Sequence, residues 1–492
     1  MHMNIKNAIG LFAGCLGLAA CTIGPDYRRP ALDLPSHFKE EAGWKPATPD
    51  TPATGSRWWS VFADPALDTL EQQIPANLLL VQAEAQFRQS TALAAASQAS
   101  LLPRLNFTAN YNRFLSPVGQ SPVFPGVRQI FNTALTATWE LDLWGRIRRQ
   151  IEAGEARAIA SADNRDALRL SLQAQLAQNY FQLRTLDVQK RVLDDSITAF
   201  RKTLELTRNR YEAGVVSKAD VVQAETQLSA TEAQAIDLAV QRQSLEHAIA
   251  VLIGKAPVEL TLEQQSVLPA IPAIPAAVPA SLLERRPDIA AAELQMMAAN
   301  AEIGAARAAF FPNITLNANT GVQNNSLARL LSTASHYWAL GPLALALPLF
   351  EGGAKNAELK RARAGWDVSV AGYRQTLLQG FQEVEDNLAA LHLLSIEARF
   401  LDDSLKTGQE AVRLALNQYQ AGTVSFQNVL IAQTQALANE REAAGIHGRQ
   451  LVAAVNLIKA LGGGWEISDK PGSPLPDRTW RHYLPVPDGT DG

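Results

Sequence analysis

Two hydrophobic periods alternate along this chain, and each occurs twice. Leu105, Phe107, Ala109 and Tyr111 alternate with Asn106, Thr108, Asn110 and Asn112. After a Pro/Gly loop, Leu135, Ala137, Trp139 and Leu141 alternate with Thr136, Thr138, Glu140 and Asp142. A period of two marks strands with one apolar face. The alternation returns with Ile314, Leu316 and Ala318 against Thr315, Asn317 and Asn319, and then with Leu343, Leu345, Leu347 and Leu349. Between these hairpins the period lengthens: Leu168, Leu172, Leu176, Leu183, Leu186, Leu193, Ile197, Phe200 and Leu204 recur at threes, fours and sevens, as in a coiled-coil seam. No proline interrupts 145–212 or 353–420, and each run of 68 residues reaches roughly 100 Å at 1.5 Å per residue.

The chain is a duplication. The stretch Tyr211 to Gln227, YEAGVVSKADVVQAETQ, recurs from Tyr419 to Gln435 as YQAGTVSFQNVLIAQTQ, with nine of seventeen positions identical at an offset of 208. LLPRLNFTAN (101–110) is echoed by FFPNITLNAN (310–319), and Leu141, Leu143 and Trp144 by Leu347, Leu349 and Phe350. In each copy a long helix should stop at Gly214 or Gly422 and a returning helix should start at Ser217 or Ser425. Glycine past a helix end and serine before the next are the usual capping chemistry, so each copy reads as a tight turn between antiparallel helices. The returning helices should span 217–253 and 425–461.

At the N-terminus an apolar run from Ala8 to Ala20 follows Lys6 and is too short to span a membrane, which reads as a secretory leader. It ends Leu18-Ala19-Ala20-Cys21, small residues before a cysteine, so Cys21 is expected to carry the lipid of a processed lipoprotein. The rest of the strap to Ser56 is proline-rich and should be extended; Asp64-Pro65 then opens helical structure, interrupted at Pro75. Pro257, Pro269, Pro272, Pro275 and Pro279 mark a linker between the halves, and an amphipathic helix follows it.

Four strands cannot close around a lumen. If their apolar face meets lipid, an open edge would leave backbone groups unpaired, so several chains must pool their strands. Three chains give twelve, an even number of the sort outer-membrane barrels use, although other counts remain open from sequence alone. Trp139, Tyr337 and Trp338 would then join the interfacial belt. A soluble sandwich with the apolar face turned inward is the alternative for the strands taken alone.

The formal charge of −4 gives no reason to expect nucleic acid. The histidines are not paired at helical spacing with metal-ligating residues, and no nucleophile or phosphate-loop motif is present, so neither a metal, a further cofactor nor an enzymatic activity is expected.

The chain resembles the outer membrane factors of tripartite efflux pumps, the TolC-like family, and within it the NodT-type lipoproteins. Carrying the resemblance are Cys21-Thr22-Ile23-Gly24-Pro25-Asp26-Tyr27, Trp58-Trp59 with Phe62 and Asp64-Pro65, Arg285-Arg286-Pro287-Asp288-Ile289 with Ala298-Ala299-Asn300-Ala301, Phe311-Pro312, and both Tyr-x-Ala-Gly tips. The resemblance implies a mainly α fold with a transmembrane β-barrel: a homotrimer whose twelve-stranded barrel continues as a long periplasmic α-helical barrel. Residues 1–20 would be the leader, 21–56 the acylated (palmitate-bearing) strap, 57–102 periplasmic helices, 103–144 and 311–351 the outer-membrane hairpins. Segments 145–254 and 352–464 would be the helical hairpins, 255–310 the linker and equatorial helix, and 465–492 a flexible tail. It implies an exit duct in the outer membrane, conducting drugs or other small molecules passively, with a periplasmic adaptor and, through it, an inner-membrane pump as partners.

By the same resemblance, Gly214, Val216 and Ser217 of one tip and Gly422, Val424 and Ser425 of the other would meet the adaptor. Gln427, Asn428 and Ile431 would form the periplasmic gate, without the aspartates that relatives often place there. Tyr419 and Asp220 would form a tip latch, with Val424 where an arginine often joins them. The rival reading is a lipid-anchored structural or adhesive coiled-coil protein, which explains the long helices but neither the strand pairs nor the duplication.

Overall fold

The computed structural model describes residues 22–30, 38–39, 57–116, 126–272 and 286–463. The leader, Cys21, most of the strap, 273–285 and the expected tail lie outside the described residues. Four strands form one antiparallel sheet in chain order: β1 (Arg104–Ser116), β2 (Gly126–Glu140), β3 (Asn313–Asn324) and β4 (His336–Ala346). At 11–15 residues each, all are long enough to cross a bilayer when tilted.

The register fixes the faces, because directly paired residues point the same way. Leu105 lies opposite Ala137, Phe107 opposite Leu135 and Tyr111 opposite Phe131, whose rings sit 4.8 Å apart; Trp139 pairs with Leu316, which pairs with Leu343. This face is open to the surroundings, with Phe107 71% and Trp338 79% exposed. The other face is polar: Asn106, Thr136 and Asn319 run in one row, Asn110, Asn132 and Gln323 in another. The sandwich reading fails here, because no second layer covers the apolar side among the described residues.

Two strand details differ from the sequence reading. Alternation along β4 breaks at Gly341-Pro342, where Leu316 pairs with Leu343 but Ala318 pairs with Leu340. The extra residue is a bulge, and it returns Leu340 and Trp338 to the face of Leu343 and Leu345. Tyr337 therefore points to the polar face and does not join the belt. It lies across Gly321, where an added Cβ would be 3.0 Å from its hydroxyl, and donates to Asn132 Oδ1 at 3.0 Å. Trp139 and Trp338 both stand on the apolar face, opposite Leu316 and Thr320, four residues apart along β3.

After a 3-10 helix at Trp58–Phe62, α1 (Pro65–Glu71) is capped by Asp64, whose carboxylate accepts from the Ala66 and Leu67 amides. The proline-marked interruption is a single 3-10 turn, Ile74–Ala76, before α2 (Leu78–Ala99). The long helices are continuous: α3 (Arg146–Glu212) returns as α4 (Lys218–Leu252), and α6 (Ala354–Gln420) returns as α7 (Phe426–Ala460). Side by side they run α4, α3, α7, α6, so α3 and α7 are central and α4 and α6 form the flanks. Val222, Ile236 and Val240 on α4, and Val368, Leu378 and Phe400 on α6, stay exposed. Among the described residues, no helix is long and apolar enough to cross a membrane.

The largest core lies midway, where Trp58, Phe62, Leu67, Tyr180, Phe181, Ile249, Leu377 and Leu451 pack together. Here α5 (Pro287–Ala308) bridges α3 and α6. The strap is pinned across it: Tyr27 donates to Glu293 at 3.1 Å, Asn300 donates to the Pro25 carbonyl, and Gly24 lies so close to Gly304 that a Cβ would be 2.5 Å away. Buried ion pairs fasten the linker. Asp187 accepts from Arg184 (3.0 Å) and Arg242 (2.6 Å), and those guanidinium groups also bond the carbonyls of Glu263 and Leu262. With each charge paired and bonded to backbone, the desolvation cost of the cluster is offset.

Glu71 is the exception. It is 1% exposed, and neither carboxyl oxygen has a hydrogen-bond partner. Burial, with the nearby Asp68 charge, pushes its pKa up to about 9. The folded state therefore holds a proton that the unfolded chain releases near the ordinary glutamate value, so Glu71 favours folding most at low pH. Stability is lost as pH climbs from about 4.3 towards 9. Glu71→Met should raise the thermal midpoint of the helical signal in detergent, by ~1–3 kcal/mol of stability near neutral pH. It should also flatten the decline between pH 6 and 9; an equally steep decline in the variant would assign the pH dependence elsewhere.

Candidate functional site

The two helix tips are built alike from the backbone up. At the end of α3 the Gly214 amide donates to the Tyr211 carbonyl and the Val215 amide to Arg210; at the end of α6 Gly422 donates to Tyr419 and Thr423 to Gln418. These paired bonds are the Schellman arrangement, and they require the left-handed φ values of 73° at Gly214 and 76° at Gly422. The turns then diverge. Ser217 caps α4, accepting from the Asp220 amide at 3.4 Å, while the Ser425 side chain makes no cap bond to α7.

Gly214, Ser217, Gly422 and Ser425 are exposed, whereas Val216 and Val424 are half-buried against an apolar knot of Leu204, Val221, Ala224, Tyr419, Phe426 and Val429. This knot joins the hairpins. The expected partners Tyr419 and Asp220 are not brought together within the chain. Asp220 accepts from the Ser217 hydroxyl at 3.2 Å, and the buried Tyr419 hydroxyl has no hydrogen-bond partner. Arg210 lies on Tyr419 instead, its guanidinium carbon 4.6 Å from the ring centroid, and Nη1 donates to the Tyr419 carbonyl. Sequence reasoning missed Arg210, because position 418, its counterpart in the repeat, is glutamine.

On α7, Phe426, Val429 and Gln433 face inward to the hairpins, and Gln433 donates to Thr203 Oγ1 at 3.1 Å. Gln427, Asn428 and Ile431 share the opposite, exposed face, Ile431 at 60%. The three positions named from sequence thus present two amides and one aliphatic side chain, with no acid among them. Higher up, α3, α6 and α7 enclose a groove of about 600 Å³, lined among others by Phe200, Leu206, Val412, Leu416, Gln409 and Glu440.

The outer membrane efflux protein family matches the chain twice, over residues 70–255 and 278–463, and the second match starts 208 residues after the first. The chain belongs to this family. That spacing equals the separation of the tips, so the duplication seen in the strands and turns is the family's own. As an outer membrane efflux protein, the chain is a channel component of the outer membrane, an exit duct for efflux, with the apolar sheet face as its lipid contact. It is 30% identical to the toluene efflux pump outer membrane protein TtgC of Pseudomonas putida over 478 residues, 94% of this chain and 96% of the relative. It is 31% identical to the pyoverdine export outer membrane protein OpmQ of Pseudomonas aeruginosa, covering 96% and 99%. Among solved structures, the outer-membrane channel OprN superposes with a TM-score of 0.85 at 30% identity, over 90% of this chain and all of the other. The open state of the Neisseria gonorrhoeae MtrE channel gives 0.79 at 29%, over 92% of this chain and all of that one.

The unequal caps give a direct test. Ser217→Ala removes a cap worth about 0.5–2 kcal/mol and should speed amide exchange in the first turn of α4. Ser425→Ala should leave the first turn of α7 nearly unchanged; equal responses at both sites would contradict the capping asymmetry.

Proposed function

We propose that three copies of this chain assemble into a gated duct: a twelve-stranded barrel in the outer membrane above a tube of helical hairpins, closed or opened at the tips. The observation carrying this reading is the four-stranded sheet with an exposed apolar face and two edges, β1 and β4, unpartnered among the described residues, joined to hairpins whose long arms reach roughly 100 Å. In hydrocarbon such edges need partners, and the same edges on further copies supply them without any new element. The exposed apolar side chains of α4 and α6 lie on the flanks where neighbouring copies would meet. A fibrous or adhesive coiled coil would leave the sheet without a purpose.

The tips are the docking surface for a periplasmic adaptor, which links the duct to an inner-membrane pump. Gly214, Val216, Ser217, Gly422, Val424 and Ser425 lie at that end, and the exposed Val215 supports it. The cargo is small organic molecules, the class for which the toluene and pyoverdine relatives are named. A lipid on Cys21 anchors the strap. Supporting it, the Ile23 amide donates to the Trp144 carbonyl at 3.1 Å and Thr22 packs on Gly145, which brings the chain next to Cys21 up to the helix-proximal end of the sheet. Loss of labelled palmitate incorporation in Cys21→Ala checks that anchor.

Asn428 and Ile431, with Gln427, line the constriction, which closes with amides and an aliphatic side chain and so partly by excluding water. The deciding experiment is single-channel recording of the purified protein beside the double variant Asn428→Ala, Ile431→Ala. Small or rare openings in the wild type and larger or more frequent ones in the variant are expected. Equal conductance would move the constriction elsewhere, and trimers that neither insert nor conduct would overturn the duct.

A further inference from the structure

The tips hold a contact that neither repeat carries alone. Arg210 sits in the last turn of α3, yet its cation faces the second hairpin, stacked 4.6 Å from the Tyr419 ring centroid with Nη1 on the Tyr419 carbonyl. The Tyr419 hydroxyl is buried and bonds nothing, so the polar link between the tips runs through the ring face and the main chain. The half-buried guanidinium lies over the face of a buried ring, where the ring quadrupole attracts it, and its fork leaves a second donor for a carbonyl.

We propose that Arg210 is the positioning residue of the periplasmic constriction: by clasping the Tyr419 ring and carbonyl it holds the second tip, and the gate face of α7, against the first. The proposal rests on the gated-duct reading above. Location favours it. The next hydrogen bond between the hairpins is that from Gln433 to Thr203, seven residues before Arg210 and so about 10 Å further up α3. Among the described residues, no hydrogen bond joins the hairpins closer to the tips than Arg210. Hairpins anchored at the central core move most at their free ends, so a tie at the end resists splaying with the longest lever. The repeat supplies no second clasp of this kind, since Gln418 replaces the arginine and Tyr211 is 44% exposed.

The contact differs from a hydroxyl-to-carboxylate latch in what removes it. Arg210→Ala abolishes both links, Tyr419→Leu abolishes the stacking, Arg210→Lys keeps a cation over the ring but loses the fork, and Tyr419→Phe removes only an unbonded hydroxyl. The test uses the full-length chain as assembled in detergent. Spin labels at the exposed tip positions, through Val215→Cys and Thr423→Cys, are diluted with unlabelled chain so that the distance within one copy is read; single-channel conductance is recorded in parallel.

Arg210→Ala is expected to lengthen and broaden the tip-to-tip distance and to raise conductance at least about two-fold. Tyr419→Leu should follow it, Arg210→Lys should fall between it and wild type, and Tyr419→Phe should shift both readouts far less than Arg210→Ala. An unchanged distance in Arg210→Ala overturns the clasp, as does an effect of Tyr419→Phe equal to that of Arg210→Ala. A longer distance without greater conductance, in a protein that conducts as wild type, breaks the link to the constriction. A longer distance in a protein that never conducts keeps the clasp and overturns the duct. An arginine that merely stabilises the end of α3 would leave the distance unmoved and make Arg210→Lys indistinguishable from wild type.

Discussion

A backbone amide or carbonyl in hydrocarbon has no water to turn to, and this constraint orders the molecule. It forces the apolar stretches of this chain into strands that bond along their length, and it leaves β1 and β4 each with a row of unmet groups. The polar rows of asparagine and threonine on the other face are then the only part of the sheet suited to water. The bulge at Gly341-Pro342 obeys the same constraint from the side-chain direction, since without it Leu340 and Trp338 would turn to the watery side and Tyr337 to lipid.

The helical part solves a different problem. Hairpins that project far from their support need a stiff root, and the chain concentrates its aromatic packing and its buried ion pairs there. Asp187 is central because it gathers two arginines that reach the linker carbonyls, tying loop to helix without a strand. Away from this root the cores shrink to small separate knots along each hairpin. The molecule is therefore firm in the middle and held more lightly at the tips, a distribution suited to an end that moves.

Much of this was legible in the sequence because it rests on short-range rules. The glycines at 214 and 422 end helices by conformational freedom, Asp64-Pro65 opens one by capping, and period two marks a half-exposed strand wherever it is unbroken. What escaped reading depends on distant partners. Tyr337 looked like a belt residue until pairing put it over Gly321, and the bulge that decides its side leaves only a Gly-Pro pair as its trace. Ser425 looks like Ser217 in the repeat, yet only one of them caps. Arg210 carried no signal, since what it touches is 209 positions away. The expected gate positions came through resemblance rather than periodicity; Gln427, Asn428 and Ile431 share one exposed face, a geometry that helical spacing alone allows but does not single out.

The tips are descendants of one ancestral turn that have since parted ways. One has a serine cap and an arginine, the other a free serine and a buried tyrosine that receives the arginine. A ring built from such chains has two sorts of hairpin in alternation, so its symmetry is that of the chain count and not of the hairpin count. A protein meeting the ring end-on encounters two chemically unlike cradles in turn, and a substitution harmless in one is no guide to its twin.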